Sequence, residues 1–387
     1  MEIVFRLILG ACSLALVFGS LLPLHPARAW WVRIFDFPRM QIAVLILVTL
    51  AGYTWLYLQV GLRPSDYTLA GAMGLALVLQ LFFIVPYTPL YPKEMQPSLA
   101  EDDNNRLSIL IYNVLDENRE VGALRNLIRE TDPDVILLSE PTHWWLEQLD
   151  GLEATYPYTM FKPQENHYGK LLYSRFELLD KEVRFLVDPN IPSLRVKVRL
   201  RSGQVVTLYG VHPRPPGLKH QEPETSGTSG GVDAGDAEDD VGNAEVGERE
   251  DSDLRDAELL LVAKEVAECG DEPIIVGGDF NDVAWSHSTR LFQRVGGLLD
   301  PRIGRGFFNS FDARHPVMRY PLDHVFASRH FRFVELRRLA AIGSDHFPML
   351  VVLDFDPGAV VQQEEPEADA GDEEEAEDAI AEGTSRD

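Results

Sequence analysis

Six short stretches of the chain place a polar side chain just after an apolar run. Asn113 follows LSILIY, Glu140 lies in DVILLSEPT and His212 in LYGVHPRPP. Asp279 and Asn281 lie in IIVGGDFND, Asp323 and His324 in YPLDHVFAS, and Asp345 and His346 in IGSDHFPMLVV. Each alone reads as a cap, a turn residue or a surface charge; Asp279 and Asn281 beside two glycines, for example, read as an Asx turn. Together they form a set of carboxylates, amides and imidazoles. Carboxylate and amide oxygens are hard ligands that suit Mg²⁺ or Mn²⁺. The only cysteines, Cys12 and Cys269, stand in unlike contexts, which argues against a thiolate zinc site or a disulfide framework. An imidazole titrates near neutrality and exchanges protons there. This inventory suits hydrolysis of an anionic ester: a cation neutralises charge, a base delivers water, and a donor stabilises the departing oxygen.

Such groups need rigid elements to hold them. Leu107–Tyr112 and Val135–Ser139 are apolar on both faces and predict buried strands. Val121, Leu124, Leu127 and Ile128 put a stripe on a helix between them, and Asp132-Pro133 stops it. Leu194, Val196, Val198 and Leu200 alternate with polar residues, so that strand pairs with Val205–Val211 across a Ser202-Gly203 turn. Helical spacing over Leu254–Glu268 precedes a strand at Ile274–Gly277, with late strands at Pro321–Ala327 and Phe347–Phe355. Mixed βα units and hairpins predict two packed sheets with helices outside, an α/β sandwich.

The ordered motifs NV, E, GVHP, GDFN, LDHVF and SDH, from about Leu107 to Asp354, resemble those of the endonuclease/exonuclease/phosphatase superfamily. That group includes deoxyribonuclease-type nucleases, bacterial sphingomyelinases and inositol polyphosphate phosphatases. The resemblance implies a deoxyribonuclease-like sandwich and a phosphoric ester hydrolase dependent on Mg²⁺, with Mn²⁺ an alternative. Carried over by position, Glu140 would be the principal metal ligand with Asn113 beside it, and Asp345 would help hold the metal. His346 would activate water or stabilise the pentacovalent phosphorus, with Asp323 orienting its imidazole. Asp279 and Asn281 would position the nucleophile and bind a phosphoryl oxygen, and His212 would donate to the phosphate or protonate the leaving oxygen. GVHP resembles the deoxyribonuclease, sphingomyelinase and phosphatase branches more than the abasic-site endonucleases. Leu115 stands where some nucleases carry a further Asp, and Asp116 is expected to point elsewhere on an extended chain. Tyr168–Arg175 resembles the family's central strand; Lys170 is a candidate phosphate contact and Arg175 a solvated flank.

Leu7–Leu24, Met40–Val60 and Tyr67–Tyr87 carry no charged side chain, and each is long enough to cross a hydrocarbon core of about 30 Å. Trp30, Trp31, Tyr67 and Tyr87 stand at their ends, where amphipathic rings favour the interface. Residues 1–91 are therefore expected to be a three-helix anchor through which residues 7–87 contact a lipid bilayer, making an integral protein of a bacterial cell membrane. Arg28, Arg33 and Arg39 against Arg6 and Arg63 place the first loop, and with it the C-terminal part, in the cytoplasm. Cleavage at Ala27-Arg28-Ala29 would reverse that, so the sequence leaves the face open. Residues 92–105 read as a linker and 106–356 as the catalytic domain.

The net charge of −26 is local. Residues 221–253 and 357–387 each hold twelve acidic side chains and one arginine, −11 apiece, which leaves −4 for the rest. Both stretches have the composition of disorder, so 217–252 is expected to be a disordered insertion and 357–387 a disordered tail. A strongly anionic segment just after the His212 loop repels polyanions, and no basic stripe with interleaved aromatics offsets it. A small phosphoester or a lipid headgroup is thus favoured as substrate over nucleic acid, with no stable protein partner expected. The alternatives are a metal-dependent nuclease acting on DNA or RNA, and a non-catalytic membrane-tethered binding module, for which every motif would have to be idle.

Overall fold

Strand β1 (Arg106–Asn113) shows why a run apolar on both faces belongs in the middle of a molecule. Ile109 and Ile111 pack to one side, Leu110 and Tyr112 to the other, as the two-residue period of a strand requires. In the computed structural model, which describes residues 1–25, 28–100, 103–215 and 252–385, β1 is a central strand. It pairs in parallel with β2 (Val135–Ser139) and antiparallel with β11 (Met349–Phe355). With β3 (Tyr158–Lys162), β4 (Lys170–Ser174) and β10 (Phe331–Arg338) they form a six-stranded sheet, ordered β10-β11-β1-β2-β4-β3. The second sheet, β5-β6-β7-β8-β9, consists of β5 (Glu177–Arg184), β6 (Ser193–Arg199), β7 (Val205–Val211), β8 (Ile274–Asp279) and β9 (Asp323–Ala327).

The sheets stack face to face. Ile109, Ile111, Val135 and Leu137 of the first meet Leu194, Val196, Val206 and Leu208 of the second in one core. Fully burying one such side chain stabilises the fold by about 1.5–3 kcal/mol. The outer face of the first sheet carries helices α5 (Val121–Thr131) and α6 (His143–Gln148). The outer face of the second carries α7 (Asp253–Glu268), α8 (His287–Val295) and α9 (Ala370–Thr384). This is the two-sheet α/β sandwich that the strand patterns predict.

Two glycines of β8 take positions a side chain would disturb. A Cβ on Gly277 would come within 2.8 Å of Ile111 Cδ1 on β1, across the sheets, and one on Gly278 within 2.0 Å of the Val211 carbonyl oxygen on β7, within its own sheet. Gly278 also has φ +142°, a conformation side chains rarely adopt. Beneath β9, buried Arg302 forks onto buried Asp300, with Nε and Nη2 at 2.9 and 2.7 Å. Arg302 Nη2 also donates to His324 Nδ1 at 2.7 Å, leaving Nε2–H to bond the Asp282 carbonyl at 2.8 Å. His324 is therefore a brace for the site, not a member of it.

Two sequence expectations change. Residues 370–384 are not a solvated tail but helix α9, started by a capping box between Asp369 and Asp372. Ala376, Ala379 and Ile380 form a small apolar stripe against α7 and α8. Its acids meet cations: Arg294 forks onto Asp372 at 2.6 and 2.8 Å, and Lys264 bonds Glu377 at 2.8 Å. Composition alone hides this, because a helix of alanine and paired acids needs few large side chains to dock. The linker is likewise held: Met95 is buried in the core, and Pro97 bridges Phe333 on β10. Residues 217–251 of the acidic insertion lie outside the described residues.

Ahead of the sandwich run α1 (Glu2–Leu21), α2 (Trp30–Arg33), α3 (Arg39–Val60) and α4 (Pro64–Ile84). Glu2–Leu24, Arg39–Val60 and Pro64–Tyr87 are each long and apolar enough to cross a membrane. They pack through Leu9, Ile46, Tyr53, Leu56 and Met73 while Leu14, Phe18, Val48, Leu75 and Phe82 remain exposed. Apolar side chains on every side suit lipid better than water. This helical segment also touches the sandwich. Trp285 Nε1 donates to the Asp36 carbonyl at 2.7 Å, Tyr87 Oη to that of Ala284 at 2.7 Å, and Phe37 packs edge-on against Tyr320.

Gly278→Ala is expected to destabilise the protein by about 3 kcal/mol or more, since the methyl meets backbone on a disfavoured φ. Gly203→Ala, at φ +89° in open space, should cost only about 1–2 kcal/mol; thermal unfolding of both variants in detergent, followed by near-UV circular dichroism, checks the contrast. Arg302→Ala strands a buried carboxylate and should cost roughly 3–5 kcal/mol by the same assay.

Candidate active site

Parallel pairing of β1 with β2 and of β7 with β8 sends the C-terminal ends of each pair to a common edge. Asn113 ends β1, Glu140 follows β2, His212 follows β7 and Asp279 ends β8. β9 runs antiparallel to β8, so its first residue, Asp323, lies opposite Asp279. β11 runs antiparallel to β1, so His346, just ahead of it, reaches the same edge. The two sheets are joined there by one amide: Asn113 Nδ2 donates to Glu140 Oε1 at 2.7 Å and to Asp279 Oδ2 at 3.1 Å.

His346 is buried between two aspartates. Its Nδ1 bonds Asp323 Oδ2 at 2.7 Å, and its Nε2 lies 3.5 Å from Asp279 Oδ2. Burial disfavours the charged imidazole, but the Asp323 and Asp279 carboxylates outweigh it and push His346 up to about 10. Ser310 Oγ accepts from the backbone N–H of Asp323, and the Phe311 ring packs 5.0 Å from the imidazole. Asp279 Oδ1 in turn accepts the Asn281 backbone N–H at 2.9 Å. Asn281 stands at φ +53°, and its Nδ2 donates to the Pro213 carbonyl at 2.9 Å, tying the β8 loop to that of His212.

Glu140 forms a second centre. It too has a positive φ, +62°, with its N–H on the Gly169 carbonyl at 3.0 Å. Burial pushes its carboxyl up to about 8, with Asp279 and Asp345 adding to the rise and Asn113 and His346 opposing it. Asp116 and His167 converge on it: His167 Nδ1 lies 2.9 Å from Asp116 Oδ2 and 4.0 Å from Glu140 Oε2. Asp116 thus does not point away, as an extended chain would make it. Leu115 adopts φ +58°, and that turn swings the next side chain back to the edge. His167, at φ +66°, belongs to no motif, and nothing in its sequence neighbourhood flags it.

The remaining expectations divide. His212 is buried with Nε2 3.8 Å from Glu140 Oε1, and its buried Nδ1 has no hydrogen-bond partner. Burial pushes its imidazole down to about 3, so it is neutral at pH 7. Asp345 belongs to neither cluster: Arg314 Nη2 donates to its Oδ2 at 2.9 Å. Lys170 is not a phosphate contact. It is fully buried under the site, donating to Ser139 Oγ and the Val211 carbonyl at 2.9 Å each, and burial lowers it to about 7. Arg175 pairs with Asp132 on the far edge.

The Glu140 centre suits a hard divalent cation. Its donors are carboxylate oxygens with one amide and one imidazole nearby, and cationic charge there would offset the crowding that lifts Glu140. The adjacent His346–Asp323 pair can hold and pass a proton, and the orphaned, neutral His212 has a hydrogen bond to give.

No curated protein matches the chain. Among solved structures, D. rerio TDP2 humanized by 14 mutations is 14% identical, covering 65% of this chain and 99% of that one, with a TM-score of 0.46. The mannosyl-6-phosphatase of Bacteroides thetaiotaomicron VPI-5482 is 18% identical, covering 64% and 100%, at 0.43. An endonuclease/exonuclease/phosphatase family protein from Bacteroides thetaiotaomicron is 19% identical, covering 65% and 98%, at 0.44. The sequence model of the Endonuclease/Exonuclease/phosphatase family matches residues 110–346, which run from β1 to His346 and make up more than half of the chain. By that match, the chain belongs to the endonuclease/exonuclease/phosphatase family.

Proposed function

We propose that the protein is a membrane-anchored, divalent-metal-dependent phosphoesterase that cleaves a phosphodiester or phosphomonoester by attack of water. The observation that carries this reading is the single amide of Asn113, which holds Glu140 and Asp279 side by side and so couples a cation-binding centre to a proton-handling one. Glu140, with Asp116, would hold the ion, Mg²⁺ by the hardness of its donors, while Asn113 stands beside it and orients the Glu140 carboxylate through Nδ2–H. A divalent cation there would neutralise phosphoryl charge and favour the displacement.

The chain's own groups supply the rest. Asp323 accepts from His346 Nδ1 and orients the ring so that Nε2 faces Asp279 and the cleft. Charged His346 stabilises the anionic transition state through its Nε2–H, and its neutral form would take the proton of the attacking water there. Asp279 orients that water, while its bond from the Asn281 N–H keeps the loop in register. Neutral His212 donates one N–H to a phosphoryl or leaving oxygen.

The three apolar helices, read as lying in a bilayer, favour a small or lipid-headgroup phosphoester over nucleic acid. The acidic sequence that follows the His212 loop supports the same choice by repelling long polyanions.

Full-length protein in detergent is expected to hydrolyse bis-p-nitrophenyl phosphate with Mg²⁺ or Mn²⁺ and to stop in EDTA. His346→Ala and Glu140→Ala should each lower turnover by roughly 10²–10⁴-fold; a folded, metal-supplied protein with no turnover on any phosphoester would instead be a binding module. Asp116→Asn should raise the Mg²⁺ concentration for half-maximal rate about tenfold or more, and an unchanged value would remove Asp116 from the ion's surroundings.

A further inference from the structure

The loop between Phe311 and Tyr320 has no part in the chemistry above, yet it lies between the catalytic histidine and the anchor. Phe311 N–H donates to the Tyr320 carbonyl at 2.9 Å, so the two form the base of a hairpin whose tip is Asp312–Arg319. On the catalytic side, Phe311 packs on His346, and Arg314 Nη2 bonds Asp345 at 2.9 Å. On the anchor side, Tyr320 packs on Phe37 with ring centroids 5.4 Å apart. The tip touches the second apolar helix directly: Gln41 Nε2 donates to the Val317 carbonyl at 2.8 Å.

That contact fixes the depth of the tip. Gln41 is the third residue of α3 (Arg39–Val60). A hydrocarbon core of about 30 Å takes about 20 helical residues at 1.5 Å each. Counted back from Val60, the twentieth residue is Gln41, which places it where the hydrocarbon begins. Val317 and Met318 beside it are 71% and 57% exposed, adjacent apolar side chains that water disfavours and an acyl boundary accepts. The flanks are polar and charged. Arg314 pairs with Asp312 and Asp345, His315 bonds Asp312, and Arg319 and Arg338 both lie over the Phe347 ring next to His346, at 5.0 and 4.4 Å. An apolar tip between such flanks fits the boundary between headgroups and acyl chains.

We propose that the 312–319 hairpin seats Val317 and Met318 in the bilayer that holds α3, so that the catalytic edge faces the headgroups and takes a phospholipid in place in the leaflet. This deepens the phosphoesterase reading and rests on it for the chemistry, but the seating of the loop is a separate matter of depth. A soluble phosphoester gains nothing from an apolar tip at the rim, whereas a lipid headgroup must be met at the surface where its own chains hold it.

The test uses full-length protein in vesicles of phosphatidylcholine and phosphatidylglycerol. In a background carrying Cys12→Ser and Cys269→Ser, an environment-sensitive fluorophore is attached at Val317→Cys or, as a control on the opposite edge of the second sheet, at Ser202→Cys. The Val317 label should emit at shorter wavelength and be quenched by spin-labelled lipid, with the Ser202 label unaffected. A Val317 label as accessible to water as the Ser202 label overturns the proposal. In the same vesicles, the Val317→Asp/Met318→Asp double variant should lower release of lipid headgroup by about tenfold or more while turnover of bis-p-nitrophenyl phosphate changes less than about twofold. Equal loss on both substrates, or no loss on either, overturns it. If the unaltered protein cleaves polynucleotide but no lipid, the substrate assignment falls with the seating intact. If it cleaves nothing, the hydrolase reading falls, and the label still decides the depth.

Discussion

Carboxylates of like charge repel, and this site gathers Glu140, Asp279, Asp323 and Asp345 at one edge with three histidines between and beside them. Such a cluster holds its shape only if the backbone that carries it does not yield. Here the stiffness comes from two stacked sheets whose strands are apolar on the inner face, so each acidic residue starts where a buried strand ends. Gly277 lets the sheets close near β1, and that closeness brings Asn113 within hydrogen-bond reach of carboxylates from both. One neutral amide thereby bridges two acids that cannot bridge each other. The lifted Glu140 carboxyl and the charged His346 are the two consequences: crowding that favours a cation on one side, and a stored proton on the other.

The same logic explains the polar groups buried beneath the site. Arg302 and Asp300 cancel inside the core and leave His324 to bond the Asp282 carbonyl, which steadies the loop that follows Asp279. Lys170, lowered by burial to about 7, bonds the residue before Glu140 and the residue before His212. These are charges used as fasteners beneath the site, and their value lies in geometry more than in net energy.

Much of this was legible in the sequence because it depends on two strong local signals. Runs that are apolar on both faces mark central strands, and the polar residue that ends each run marks the edge. Asn113, Glu140 and Asp279 are found this way where a run ends, and Asp323 and His346 where one begins, since a strand's length fixes where its terminal side chains sit. Asp116 and His167 were not, because what brings them in is a left-handed backbone at Leu115 and at His167 itself, and neither residue type announces it. Lys170 was misplaced for a related reason: its neighbours identify the strand, but only pairing with β2 shows that it lies under the edge rather than on it. Helix α9 escaped because its docking rests on alanines and ion pairs contributed by distant segments.

The pairing of α9 also changes how the charge of the chain bears on function. A chain of net −26 approaching an anionic surface should be repelled at every orientation if its charge were spread evenly. In the described structure, acids of α9 lie on the second sheet's helical face, opposite Lys264, Arg294 and His287. Arg314 and Arg319 lie instead beside His346, with Arg338 across the same Phe347 ring. Charges of both signs thus meet on both faces, since Arg314 is itself paired with Asp312 and Asp345. Net charge therefore does not choose which edge faces an interface. Val317 and Tyr320, on the rim of the site, touch Gln41 and Phe37 of the N-terminal helical segment, and that contact fixes how the edge lies relative to it.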